Sequence, residues 1–240
     1  MNNTRVEQLI LELTRRCNMN CKHCLRGKSE DMEMSFDIAK KALNSFSQIG
    51  SITFSGGEPT LCENLISDIV DYIINNDINV HGFYMASNGK NINMNVMFSL
   101  ARLYAYIYKN EGGYLDDYQC VFDVSVDQFH EEIGRDNIGI LKAFSFVSQR
   151  GEINPSGVID EGNAMENHIG CRKLNHKKDF YISEEDEEYG NLYELVYVNS
   201  KGNIYADCDF SYASQDQISH ISILQDKSFD ELAKEYAQAL

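Results

Sequence analysis

The run Gln8-Leu9-Ile10-Leu11-Glu12-Leu13 breaks at once into polar residues and then into Cys17-Asn18-Met19-Asn20-Cys21-Lys22-His23-Cys24. A short apolar run bounded in this way reads as a strand feeding a loop. The same succession recurs downstream. Ser35 opens a helix in which Phe36, Ala39, Leu43 and Phe46 share one face; Ser35 is placed to cap it, and Asp37 suits the positive end of its dipole. Residues 51–55 form a second strand ending on Gly56-Gly57-Glu58-Pro59, after which Leu61, Leu65, Ile66, Ile69, Val70 and Ile73 keep a helical period. Residues 80–86 read as a third strand, closed by Ser87-Asn88-Gly89. Met94, Met97, Phe98, Ala101, Tyr104 and Tyr108 mark a third helix, residues 120–126 a fourth strand, and residues 138–149 a less regular helix.

Strands alternating with helices predict an α/β fold with right-handed crossovers and a parallel sheet. Each motif follows a strand, which places it at the C-terminal edge of the sheet, where such folds bind ligands. The rhythm covers residues 1–150, read as a core of four βα units. Residues 151–240 depart from it: residues 151–170 read as a long loop, residues 193–208 as a hairpin turning at Ser200-Lys201-Gly202, and residues 229–240 as a terminal amphipathic helix.

The chain has 240 residues, enough for one sizeable core. Its formal charge of −16 opposes a phosphate backbone, so nucleic acid is not the expected partner. The acidic run at residues 184–188 reads as a solvated loop. No apolar run reaches the roughly 18 residues that cross a bilayer, and the first residues lack the apolar centre of an export signal, so a cytoplasmic protein away from membranes is expected. In that reducing compartment the seven cysteines are expected to be buried, metal-bound or catalytic. Cys62 and Cys120 read as packing residues.

Cys17, Cys21 and Cys24 are spaced so that one loop can wrap one iron–sulfur cluster. Three thiolates for four irons leave one iron open to an outside ligand. Zinc is the rival metal, with His23 as fourth ligand, although zinc ligands usually fall in two separated pairs. Gly56 and Gly57 allow close approach to the backbone, Glu58 offers an acceptor for an ammonium group, and Pro59 stiffens the exit.

Together these segments resemble the radical S-adenosylmethionine (SAM) superfamily: CxxxCxxC after the first strand, with His23 where an aromatic residue is frequent, and GGE after the second. The resemblance implies a partial (β/α)6 TIM-type barrel, here incomplete, with a C-terminal β-hairpin extension. It implies a [4Fe–4S] cluster on Cys17, Cys21 and Cys24, with SAM on the open iron and Gly56, Gly57 and Glu58 near its amino group. It further implies reductive cleavage of SAM, fed by a donor such as flavodoxin or ferredoxin, and hydrogen abstraction from a substrate. Asn88 matches the Ser-Asn-Gly segment after the third strand. Ser125 and Asp127 match a Ser-x-Asp segment after the fourth whose serine lies near the ribose. Arg135 falls where relatives carry an arginine near SAM, and His130 joins Ser125 and Asp127 as a polar residue closing the strand.

Cys171 and Cys208 remain. Glycine at a hairpin turn followed by cysteine resembles the element that holds auxiliary clusters in peptide-modifying relatives, but five residues separate Gly202 from Cys208 where the family leaves four, and two cysteines cannot fill a four-thiolate site, so such a cluster would be completed by substrate or by non-cysteine ligands. Two free or structural thiols is the competing reading. Cys208 is also a candidate hydrogen-atom donor to a substrate radical. The substrate is read as a ribosomally made peptide, with a small molecule or activation of a glycyl-radical partner as the alternative. A non-catalytic zinc- or cluster-binding interaction protein is the third reading.

Overall fold

The computed structural model describes residues 3–116, 119–130, 137, 139, 141–175, 178–186, 188, 190–218 and 221–240. Its first strand, β1 (Arg5–Thr14), lies at the centre of one sheet, paired in parallel with β2 (Gln48–Gly56) on one side and with β7 (Leu192–Val198) on the other. A strand flanked on both edges and covered on both faces needs a near-continuous apolar sequence. Leu9, Ile10, Leu11 and Leu13 supply it, all buried. From β2 the sheet continues in parallel through β3 (Phe83–Ser87), β4 (Cys120–Ser125) and β5 (Val147–Arg150). Beyond β7 it runs antiparallel into β8 (Asn203–Tyr205) and β9 (Ile221–Ser222), with β6 (Ile182–Glu184) also pairing β7. The sheet is not closed, so the fold is a mixed α/β, partial TIM-type barrel.

The helices form where the sequence caps them. Helix α1 (Phe36–Asn44) starts at Ser35, whose hydroxyl accepts from the Ile38 amide, and buries Ile38, Ala39, Ala42 and Leu43. Helix α2 (Glu63–Asn75) buries Leu65, Ile66, Ile69, Val70 and Ile73 on one stripe. Helix α3 (Met94–Asn110) is capped by Asn93. The short helices α4 (Gly162–Glu166) and α5 (Tyr212–Gln215) lie in the C-terminal third, which ends on α6 (Phe229–Ala239), opened by a reciprocal Ser228–Glu231 capping box. No helix among the described residues is long and apolar enough to cross a membrane.

Two expectations change. Residues 147–149 belong to the strand β5 and not to a helix; residues 138 and 140 of that expected helix lie outside the described residues. Residues 137, 139 and 141 are helical, so the expected helix is cut short, and the chain passes through an aromatic turn into β5. Phe146 packs at 5.5–5.7 Å between ring centroids on Phe144, Phe83 and Tyr104 before the chain extends. Residues 151–170 are not structureless, since they contain α4 and a turn of 3-10 helix at Pro155–Gly157. The expected hairpin is present, templated by Asn199, whose Oδ1 accepts from the Lys201 and Asn203 amides while Gly202 takes φ +83°. Its first strand, however, is a full parallel partner of β1.

A buried charge network locks β1 to the C-terminal third. Arg15 and Glu12 have fully buried side chains and are joined at 3.1 Å. The other nitrogens of Arg15 donate to Glu30, Gln215 and Asp216. Glu12 also accepts from Ser200 and Gln215 and from the Tyr197 hydroxyl. Removing one member of such a pair strands the other charge in a dry interior. Arg15→Met is therefore expected to destabilise the fold by about 3–5 kcal/mol, read as a lowered urea midpoint with an unchanged slope.

Candidate active site

The cysteine loop, residues 15–33, joins β1 to α1 and is fastened by its own backbone. Arg15 exchanges bonds with Met32 and Glu30, and the Cys17 amide donates to the Ser29 hydroxyl at 2.9 Å. The end of β2 closes against it: the amides of Gly57 and Glu58 donate at 2.8 Å to the carbonyls of Thr14 and Arg16. A Cβ on Gly57 would lie 2.2 Å from the Arg16 carbonyl oxygen. The glycine pair is thus required by the protein's own backbone, a tighter reason than room for a ligand. Gly56 ends β2 beside it.

Glu58 is 1% exposed. Its Oε1 accepts from the Thr60 amide and hydroxyl and from Ser87 Oγ, and its Oε2 accepts from the Asn88 amide at 2.8 Å. The carboxylate therefore latches the end of β2 to the end of β3. Asn88 carries the latch onward, since its Nδ2 donates to Asn18 Oδ1 at 2.8 Å and lies 3.9 Å from Cys17 Sγ. Burial raises the Cys17 thiol above its ordinary value, a cost that a bound metal would remove by taking the thiolate.

At the end of β4, Ser125 lines the cleft and Asp127 turns inward with its side chain 1% exposed. Asp127 Oδ1 accepts from the Phe129 amide and from His130 Nδ1 at 2.8 Å. The His23 ring stacks on Phe129 with centroids 4.4 Å apart, and burial lowers its pKa. Arg135 lies outside the described residues.

Cys17, Cys21 and Cys24 line two adjoining spaces. One is a cavity of about 40 Å³, closed by Arg15, Arg26, Asn163 and Tyr212 among others, whose lining excludes His23. The other is an open cleft of about 480 Å³ that also takes in Gly56, Gly57, Glu58, Asn88, Ser125, Asp127, Arg150 and Cys208. The only His, Cys, Asp or Glu group among the described residues whose ligand atoms fall within 4.8 Å of one another is His23 with Asp127 and His130, so the three sulfurs are more widely spread. Tetrahedral zinc, with Zn–S bonds near 2.3 Å, needs sulfurs about 3.8 Å apart. Thiols spread this widely suit a cluster better than a Cys3His zinc site.

The sequence reading missed what holds the loop from behind. Asn163, at the start of α4, is 5% exposed; its amide donates to the Cys24 carbonyl, and its side chain donates at 3.0 Å to the Cys21 carbonyl and to Asn20. Gly162 permits this approach, because a Cβ there would lie 2.4 Å from the Leu25 carbonyl. Arg26 donates to the Phe210 carbonyl at 2.7 Å, and the Tyr212 amide donates back to Arg26. The only signal in sequence was a Gly-Asn pair in a presumed loop. Cys208 faces the cleft, whereas Cys171 is exposed and lines neither space. Cys62 and Cys120 are buried in the core, their thiols pushed up to about 11 by burial.

Comparison with known proteins agrees with the geometry. The family model of the Radical SAM superfamily matches residues 11–144. With more than half of the chain matched, the protein belongs to that superfamily. An uncharacterised protein of Methanocaldococcus jannaschii, MJ0907, is 45% identical over 75 residues, 30% of this chain and 26% of that one, so the chain spans about a quarter of that relative's length. Among solved structures, BtrN in complex with AdoMet and 2-DOIA superposes with a TM-score of 0.57 at 14% identity, over 97% of this chain and 86% of BtrN. Native anSMEcpe with bound AdoMet and Cp18Cys peptide gives 0.55 at 14% identity, over 98% and 82%. At that identity these two establish the shared fold.

Asn163→Ala removes buried hydrogen bonds, each contributing about 1 kcal/mol, from the back of the cysteine loop. Iron retained after anaerobic reconstitution and desalting is expected to fall several-fold, with a shift of about 1–3 kcal/mol in global stability; both are read by metal analysis and urea titration on the same sample.

Proposed function

We propose that this chain is an enzyme that binds a [4Fe–4S] cluster on Cys17, Cys21 and Cys24, cleaves SAM reductively and removes a hydrogen atom from a peptide. The observation that carries the reading is the shared cleft: the cysteine loop, the ends of β2, β3 and β4, and Cys208 line one open space. When bound, the cluster and SAM supply an electron to the sulfonium and a 5′-deoxyadenosyl radical. Everything else is the work of the protein's own groups.

Gly56, Gly57 and Glu58 present backbone at the cleft while the Glu58 carboxylate holds their strand end to β3, so their carbonyls are the acceptors for the SAM ammonium. Asn88 fixes the cysteine loop beside them. Ser125 at the end of β4 and Asp127 just beyond it add polar groups to the lining of the cleft. Arg26 stays charged, because burial disfavours its charge less than Tyr197, Glu12 and other acidic neighbours favour it, and it lines the cleft as a partner for a carboxylate.

A peptide substrate is supported by the open side of the sheet, by the acidic chain as a match for a basic peptide, and by the fold shared with anSMEcpe, whose structure holds a peptide. A small molecule is the second reading, favoured by the fold shared with BtrN and its 2-DOIA. A flavodoxin- or ferredoxin-like protein is the proposed electron donor.

Cys208 is proposed to return a hydrogen atom to the substrate radical. Burial pushes its thiol up to about 11, so it keeps its S–H at neutral pH. Donation breaks S–H, forms C–H and leaves a thiyl radical, which the electron donor and a proton restore.

Anaerobic protein reconstituted with iron and sulfide is expected to turn SAM into 5′-deoxyadenosine under reduction, and the Cys17, Cys21, Cys24 triple alanine variant is expected to make none. Zinc held by the three cysteines in place of iron, with SAM left intact, would overturn the reading. With substrate in deuterated water, one deuterium is expected in the product; Cys208→Ala should still yield 5′-deoxyadenosine but no deuterated product. Normal product from that variant would remove Cys208 from the mechanism.

A further inference from the structure

We propose that His23, Asp127 and His130 form a second metal site, which binds one divalent transition-metal ion at the wall of the cleft. One ligand atom from each of the three residues falls within 4.8 Å of the other two. All three residues line the cleft. Two imidazoles and a carboxylate are a donor set suited to zinc or ferrous iron, and three protein ligands leave positions open to an outside oxygen.

Two independent observations point to a ligand here. Asp127 has a side chain 1% exposed, yet its Oδ2 has no hydrogen-bond partner. His23 Nδ1 is likewise buried and without a partner. A buried carboxylate oxygen and a buried imidazole nitrogen that both lack partners are costly, and a cation held by the two residues would satisfy them. The groups are also held in place. Asp127 Oδ1 is fixed by the Phe129 amide and His130 Nδ1, and the His23 ring lies flat on Phe129 and edge-on to His130 at 5.3 Å. Bonds of about 2.1 Å require ligand atoms about 3.4 Å apart, so the three groups draw together on the ion when it binds.

The consequence is chemical. His23 lies in the cysteine loop, so the same loop contributes sulfur to one centre and nitrogen to another. Asp127 then serves an ion two residues beyond Ser125, the residue that the family resemblance puts near the ribose. The open positions of that ion face the cleft and fit a hydroxyl or carboxylate oxygen of a bound molecule. The site itself does not depend on the reaction proposed above; only the use of its open positions does.

The test is zinc binding to the anaerobically reconstituted protein, with iron and zinc measured on the same sample after desalting. About one zinc per chain is expected beyond the iron of the cluster. His23→Phe keeps a flat ring on Phe129 and is expected to retain iron while losing zinc. Asp127→Asn should do the same, with an unchanged circular dichroism spectrum as the folding control. The Cys17, Cys21, Cys24 triple serine variant is expected to lose iron and keep zinc. Zinc that disappears with the cysteines, or that persists in both His23→Phe and Asp127→Asn, overturns the proposal. Because iron follows the cysteines in every case, failure of this site and failure of the cluster reading are told apart.

Discussion

The fold turns on the placement of one positive charge in a dry interior. Arg15 is fully buried, stacked at 4.6 Å over Tyr212, and surrounded by Glu12, Glu30, Gln215 and Asp216. These partners come from β1, from the far side of the cysteine loop and from α5. Burial opposes the charge, but Glu12, Glu30 and Asp216 together raise the affinity of the guanidinium for its proton. The cost of an unpaired charge there makes the three segments fold as one unit. Cys17 lies two residues beyond Arg15, so the position of the first thiol is set by the same charge.

This arrangement explains why the C-terminal third cannot be treated as an appendage to the cysteine loop. β7 pairs with β1 along its length, from Arg5 opposite Leu192 to Leu11 opposite Val198. The turn after β7 delivers Ser200 to Glu12. Past the hairpin the chain brings Cys208 to the cleft, Phe210 to Arg26 and Tyr212 to Arg15. Backbone from residues 158–172 meanwhile wraps the outside of the loop through Asn163. The cysteine loop is short and polar and buries little apolar area of its own. Its order comes from its own backbone bonds, from Glu58 and Asn88, and from residues more than 100 positions away such as Asn163.

What could be read in the sequence follows the range of the forces involved. Apolar period and capping are local, so β1 to β4, α1 to α3 and the terminal helix were legible from residues such as Leu9, Ser35 and Ile69. The spacing of Cys17, Cys21 and Cys24 is local as well. Glycine at Gly57 was legible as a need for close approach, but not what approaches; the structure shows the Arg16 carbonyl. The strand β5 was hidden because Phe144, Phe146 and Val147 mix a turn with a strand over too few residues for either period to show. Asn163 and Arg15 were hidden for a different reason. Each is a common polar residue whose importance arises only when the sheet brings distant backbone to it, and no one-dimensional pattern encodes that meeting.

The two acidic residues at the strand ends show how similar chemistry reaches opposite outcomes. Glu58 closes β2 and Asp127 follows β4; both are buried, and both accept from the backbone just beyond them. Glu58 has the longer side chain, and it reaches across to Ser87 and Asn88 so that both of its oxygens are engaged. Asp127 is shorter and folds back on its own turn through Oδ1, which leaves Oδ2 buried without a partner. A fully bonded buried carboxylate ties structure together, because any ligand would have to displace existing bonds. A half-bonded one carries an unmet demand for a cation or a donor. On that physical ground Glu58 belongs to the frame of the cleft, and Asp127 to what the cleft binds.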